Sequence, residues 1–144
     1  MIIYKKGDLL EATEDIICHQ CNTYGLFGGG LAYQIKQVYP LCEKQTIKYL
    51  QYNKDFMGNY YLYVNKEDKR MIANCFTQDE DYKTNYEMLE RCFTELMNNC
   101  KDMKQSIALA FNYGCGIANG DWNKVLKILK NIFTNYDLTI YRKD

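Results

Sequence analysis

With 144 residues, 47% of them hydrophobic, and 18 basic residues balanced by 18 acidic ones, the sequence describes a neutral globular chain long enough to bury a core. The hydrophobic fraction argues against disorder, and the absence of a basic excess or stripe argues against nucleic acid as a partner. No apolar run is long enough for a signal peptide or a membrane span, which predicts a cytoplasmic protein without membrane contact.

Ile2-Ile3-Tyr4 reads as a short strand ended by Gly7-Asp8. Asp15 to Gln20 reads as a second strand, with Ile17 and His19 on one side and Ile16, Cys18 and Gln20 on the other. Gly28-Gly29-Gly30 then runs into a helical pattern with Leu31, Ile35 and Val38 on one face, stopped by Pro40. Leu41 to about Gln51 predicts another helix, whose modest apolar face is Ile47 and Leu50. Asn59 to Val64 and Arg70 to Phe76 are rich in β-formers and flank the polar turn 65–69, the pattern of a hairpin.

Thr77 to Lys83 is a polar loop. From Asn85 to Lys101, Leu89, Cys92, Phe93, Leu96, Met97 and Cys100 recur at helical spacing, the clearest amphipathic helix in the chain. Ser106 to Phe111 has the length and composition of a buried central strand. The glycine-rich Gly114 to Gly120 follows, then a helix from Asp121 or Trp122 to about Phe133, with Val125, Leu126, Leu129 and Ile132 inward. Leu138 to Tyr141 is a terminal strand. Alternating strands and helices give an α/β class with helices on both faces of a mixed sheet, in a single domain over 1–144.

Seven cysteines are scattered at 18, 21, 42, 75, 92, 100 and 115. Cys18 and Cys21 form the only C-x-x-C, and His19 is the only histidine. That set lacks the four ligands of a structural zinc site, so reduced thiols acting as small hydrophobes are expected, with no metal and no cofactor.

The two glycine-rich segments share a context, since each follows a short apolar strand and opens a helix. Glycine lets the backbone approach a ligand, and a helix beginning there aims unpaired N–H groups and its positive dipole end at whatever the loop encloses. Two facing nests suit a pyrophosphate, although neither segment has G-K-[ST] or strict G-x-G-x-x-G spacing.

Four segments in order, Lys6-Gly-Asp-Leu9, Ile17-Cys-His-Gln-Cys-Asn22, Gly28-Gly-Gly-Leu-Ala32 and Gly114-Cys-Gly-Ile117 with Asp121-Trp122, resemble the macro domain. The resemblance is greatest to the small single-domain branch that includes ADP-ribose 1''-phosphate phosphatases and ADP-ribosyl-glutamate hydrolases. It implies a three-layer α/β/α fold with a mixed central sheet and binding of ADP-ribose or a derivative, free or carried by an ADP-ribosylated protein, by a monomer. Asp8 matches the acidic residue that bonds the adenine amino group, Tyr141 an aromatic against adenine, and Asn22 the asparagine near the distal ribose. Gly28, Gly29, Gly30, Leu31 and Ala32, and Gly114, Cys115, Gly116, Ile117 and Ala118, match the loops around the diphosphate, with Leu9, Thr77 and Phe111 beside them. Each has a plainer alternative: a turn or cap for Asp8 and Asn22, and packing for Tyr141 and Cys115.

The resemblance also suggests chemistry. His19 stands where phosphatase-like members carry histidine, and is either a general acid/base or a structural histidine. Asp121 either activates a water at the distal ribose or simply caps a helix. The lysine and aspartate of the glutamate hydrolases correspond here to Gln78 and Ala118, so their covalent route is missing unless Lys83 or Asp121 substitutes. The expected activity is hydrolysis of a group on the distal ribose, with backbone donors rather than a metal stabilising charge. The alternative is a binding module that turns nothing over.

Overall fold

Strand β2 (Ile16–Cys21) lies at the centre of the sheet in the computed structural model, which describes residues 1–143. The other elements are β1 (Ile2–Lys6), α1 (Gly30–Val38), α2 (Pro40–Tyr52), β3 (Tyr60–Val64), β4 (Met71–Phe76), α3 (Tyr86–Met103), β5 (Ile107–Ala110), α4 (Trp122–Ile132) and β6 (Leu138–Arg142). A short 3-10 turn, Leu9–Glu11, follows β1. The sheet order is β1-β6-β5-β2-β4-β3, parallel throughout except for β3, which pairs antiparallel with β4 as the predicted hairpin. Helices cover both faces of this mixed sheet, making the predicted three-layer α/β/α architecture.

The alternation in β2 sorts the two cores. Ile16 and Cys18 pack with Leu89, Phe93 and Leu96 of α3 and Val125 and Leu129 of α4. Ile17 and Cys21 pack on the opposite face with Ile35, Tyr39 and Cys42 of α1 and α2. All seven cysteines are free and six are buried, so they serve as packing groups in both layers. Helix α3 starts where Asn85 accepts from Met88 N at 3.0 Å and ends at Lys104, which is left-handed. Among the described residues, no helix is long and apolar enough to cross a membrane.

Two helix faces differ from expectation. At α1 the buried pair is Ile35 and Tyr39, the residue that caps the helix end, while Val38 is 55% exposed. Leu31, which shares the Val38 stripe, turns instead toward a cleft. In α2 the deepest positions are Cys42 and Thr46, where Thr46 Oγ1 donates to Cys42 O at 2.8 Å. Ile47 and Leu50 are only half-buried, closing over Gly25. Pro40 both ends α1 and occupies the first turn of α2, where its missing N–H costs nothing.

A buried carboxylate ties the sheet's edge to its centre. Glu14 accepts from Lys5 Nζ at 2.7 Å and from Tyr141 Oη at 2.6 Å, and is 7% exposed. Burial pushes its carboxyl up, but the bonds from Lys5 and Tyr141 outweigh this and hold it below the usual range. The folded value thus lies below the unfolded one, so this stabilisation is complete above about pH 4.3 and is lost as pH falls through the folded value. Urea unfolding below that pH should therefore show a steeper loss of stability in the wild type than in Glu14→Gln. Equal slopes would remove Glu14 from the acid response. In the other layer, Phe93 is fully buried and meets the Tyr113 ring edge-on at 5.3 Å. Phe93→Ala should lower the unfolding free energy by about 3–5 kcal/mol, readable from the denaturant midpoint at unchanged slope.

Candidate ligand-binding cleft

The carboxyl ends of the parallel strands open onto one continuous cleft. One section, of about 390 Å³, is lined by Gly7, Asp8, Leu9, Leu31, Phe111 and Tyr141, with Gln34, Ala110, Arg142 and Lys143. The adjoining section, of about 240 Å³, is lined by His19, Gln20, Gly29, Gly30, Leu31, Ala32, Gln78, Phe111, Gly114, Gly116, Ile117 and Ala118, with Ala110, Asn112 and Tyr113. Leu31, Ala110 and Phe111 belong to both. The lining follows strand order, from β1 and β6 at the Asp8 end to β2 and β4 at the Gln78 end. A larger open depression, about 640 Å³, lies at the opposite ends of the strands. Its Glu14 is matched by Lys5 and Tyr141, and its Asp15 by Ser106.

The first glycine loop is shaped from within. Asn22 Oδ1 accepts from Tyr24 N at 3.0 Å and Leu26 N at 3.1 Å, while Asn22 Nδ2 donates to Leu26 O at 2.8 Å. Phe27 N donates to Glu43 Oε2 at 2.7 Å, and Lys36 holds the same carboxylate at 3.1 Å, anchoring the loop to α2. Gly29 is the N-cap of α1 and offers no side-chain acceptor, so the N–H groups of the first turn stay available. Gly30 has φ 57°, a conformation that favours glycine.

The second loop closes on itself through Gly120 N, which donates to Gly114 O at 2.9 Å. A Cβ at Gly120 would lie 2.4 Å from that oxygen, so only glycine allows this approach. The loops face each other, since a Cβ at Gly29 would be 3.5 Å from Ile117 Cδ1. Ile117 itself is 78% exposed at the rim.

At the Asp8 end, Asp8 caps the 3-10 turn through its bond from Leu10 N at 3.0 Å, and Lys143 Nζ is 3.5 Å from its other oxygen. Tyr141 is held by Glu14, and the Arg142 guanidinium lies 4.2 Å from the Phe111 ring centroid. Asp8 and Tyr141 thus keep both their plain structural roles and a place in the cleft.

His19 borders the other section but is 1% exposed. Its Nε2 is 2.6 Å from Asn74 Oδ1, and Phe27 meets the ring edge-on at 5.0 Å. Asn74 Nδ2 donates to Tyr61 O at 3.0 Å and Ile72 O at 3.2 Å, so Oδ1 is the acceptor and His19 Nε2 carries the proton. Nδ1 is then a bare lone pair, buried without a partner. Burial pushes the imidazole down, only partly opposed by the Asn74 bond, which keeps it neutral near pH 7. The geometry permits proton acceptance at Nδ1 and gives no positive charge for acid catalysis.

Several expected residues lie outside the lining. Asp121 is exposed and caps α4 by accepting from Asn123 N at 3.0 Å. Asn22 is spent on its own loop, and Gly28 is an exposed loop residue. Cys115 Sγ donates to Tyr113 O at 3.3 Å; burial, with the nearby Asp121 charge, pushes its thiol up and makes it a poor nucleophile. Thr77 is fully buried beneath the cleft, with Oγ1 2.7 Å from Tyr113 Oη.

Gln20 reads in sequence as a strand residue on the side of Ile16 and Cys18, and Gln78 as a position without lysine, yet both line the cleft and bond to each other at 2.9 Å. The signal for Gln20 is its place at the carboxyl end of the central strand, where an inward polar side chain needs a partner.

A comparison with models of known protein families finds no match. Among curated proteins, the ADP-ribose 1''-phosphate phosphatase of Candida albicans is 31% identical over 84 residues, 55% of this chain and 54% of that protein. That of Saccharomyces cerevisiae is 32% identical over 77 residues, 51% of this chain and 44% of that one. The chain thus spans about half the length of the phosphatases it matches. A 17.5 kDa protein of Enterobacteria phage T4 is 26% identical over 148 residues, 97% of this chain and 95% of that protein. Among solved structures, the macrodomain of Mycobacterium tuberculosis DarG superposes with a TM-score of 0.87 at 23% identity, covering 100% of this chain and 99% of that one. Thermosipho africanus DarTG in complex with ADP-ribose gives 0.84 at 20% identity, over 97% of this chain and 41% of that one. The chain is a macro domain in fold, and in sequence it resembles the ADP-ribose 1''-phosphate phosphatases.

Proposed function

We propose that the cleft binds ADP-ribose and that the chain hydrolyses a group on its distal ribose, a phosphomonoester first and an O-acyl or protein-linked ester next. The observation that carries the binding reading is the pair of facing glycine loops. The uncapped first turn of α1 supplies N–H donors and a positive dipole end on one side, and the 114–118 loop supplies backbone on the other. Adenine then lies at the Asp8 and Tyr141 end, where Asp8 Oδ2, 3.5 Å from Lys143 Nζ, can also accept from its amino group. The distal ribose falls over the ends of β2 and β4, beside His19.

For turnover, the neutral His19 offers Nδ1 to accept a proton from, or to orient, an attacking water. Backbone donors in the loops would stabilise charge developing on the leaving group. A second reading, a module that binds without turnover, draws on two observations: His19 is deeply buried, and Asp121 stands outside the cleft lining as a helix cap.

Calorimetry with ADP-ribose should show micromolar or tighter binding, about −8 kcal/mol or better; no heat at millimolar ligand would end the binding reading. Gly29→Leu places a side chain where the loops face each other, and should abolish binding while the melting temperature stays near that of wild type. Unchanged affinity would mean that the loop is not the cradle. Incubation with ADP-ribose 1''-phosphate should release phosphate, and His19→Ala should slow release about 10²-fold or more. Asp121→Asn keeps the helix cap and removes the charge, so a slowed rate there would implicate its carboxylate. Binding without release selects the module.

A further inference from the structure

The sheet ends in two outer strands that differ in how they guard their free edges. Strand β1 carries Lys5 and Lys6, and charged side chains on an edge discourage another strand from adding to it. Strand β3, Tyr60-Tyr-Leu-Tyr-Val64, has no charged residue and no proline. Its register with β4 runs unbroken from Tyr60 to Val64, so no bulge turns the edge aside.

The alternation of the ladder identifies the backbone groups left over. Asn65 N donates to Arg70 O at 2.8 Å and Phe76 N to Asn59 O at 3.0 Å, so the odd-numbered residues of this strand bond to β4. The N–H and C=O groups of Tyr60, Leu62 and Val64 therefore point away from the sheet, and no backbone group among the described residues bonds to them. Beside this edge, on the α2 side, a groove of about 390 Å³ runs along Tyr61, Tyr63 and Val64 and is walled by the exposed Leu41.

The sequence of β3 is its own complement. Laid antiparallel with Leu62 opposite Leu62 of a second copy, it sets Tyr60 beside Val64 on one face and Tyr61 beside Tyr63 on the other. Every cross-strand pair is then apolar or aromatic, the kinds that stabilise neighbouring strands, and no like charges meet. The outward residues exchange about six backbone hydrogen bonds, two in each of three pairs. A two-fold axis through Leu62 uses the same edge of both copies, so the contact closes at two.

We propose that β3 is a self-association edge: two copies of this chain pair antiparallel through Tyr60 to Val64 and join their six-stranded sheets into one, in place of the monomer that the resemblance implies. Because the paired strands run in opposite directions, the two clefts open on opposite sides of the dimer. The pairing stands independently of the ADP-ribose reading.

The test is sedimentation of the full chain between about 1 μM and about 1 mM, where the mass should rise from 17.0 kDa toward twice that value and no further. Amide exchange reads the edge directly. The N–H groups of Tyr60, Leu62 and Val64 should exchange about tenfold or more slowly at the concentrated end, while the outward amide of Tyr4 on the β1 edge is unchanged. Leu62→Lys sets two like charges face to face on the axis, and Val64→Pro removes an N–H that bonds nothing in the single chain. Each should weaken dimerisation about tenfold or more, with the dilute protein melting near wild type. Where Leu62→Lys lowers the melting temperature, Val64→Pro and the exchange of wild type decide. A chain that stays at 17.0 kDa throughout leaves the edge to a strand of another protein and overturns the self-pairing. A dimer retained by both variants, or one in which the three outward amides exchange as fast as in the monomer, overturns the assignment to β3. Masses that climb past two copies overturn the closed pairing.

Discussion

Strand β2 is where the chain changes direction across the sheet. From it the sequence builds outward through α1, α2 and the β3–β4 hairpin on one side, then crosses beneath α3 to β5 and β6 on the other. In parallel sheets a crevice forms where connections leave a strand in opposite directions, because no segment passes over its carboxyl end. The two glycine loops leave β2 and β5, the strands flanking that crevice, and so must face each other across it. The order of lining segments along the cleft is a direct reading of the order of strands.

The interior near this crevice is unusually polar for a sheet covered on both faces. Asn74, fully buried, links β4 to β3 through Tyr61 O and to β2 through His19. Gln20 links β2 to the segment after β4 and, through Thr84, to the second glycine loop. Buried polar groups are tolerable only when satisfied, and these nearly are. Gln78 Oε1 and His19 Nδ1 are exceptions that both belong to residues bordering the cleft. Arg70 Nε and Nη2 are likewise buried without partners, and Arg70 does not line the cleft.

Much of the frame was legible from local pattern. The helical spacing of Leu89, Cys92, Phe93, Leu96 and Cys100, the alternation in β2 and the two strand–glycine–helix passages each encode their structure within about a dozen residues. What was not legible depends on distant partners. Val38 is the more apolar of the pair in sequence, yet at the turn into α2 it is Tyr39 that goes inward, its hydroxyl donating to Asp68. Asn22 is chemically suited to either a ligand or its own loop, and its three bonds to Tyr24 and Leu26 show the second use. Gln20, Gln78, Thr84 and Gly114 carry no mutual signal in a single sequence, because their relation is made by the sheet.

That same dispersion has a consequence for how the cleft comes into being. The groups orienting Gln78 come from the β2 end, the hairpin exit and the passage after β5, so no contiguous fragment can assemble the distal end by itself. Long-range closures of this kind are entropically late in folding, since each must wait for the sheet that brings its ends together. A ligand that uses this end therefore recognises only the finished sheet. Its binding energy adds almost wholly to the native state, as RT ln(1 + [L]/Kd), and almost none of it is available to a partly folded chain. Ligand-induced stabilisation thus doubles as a measure of correct tertiary assembly.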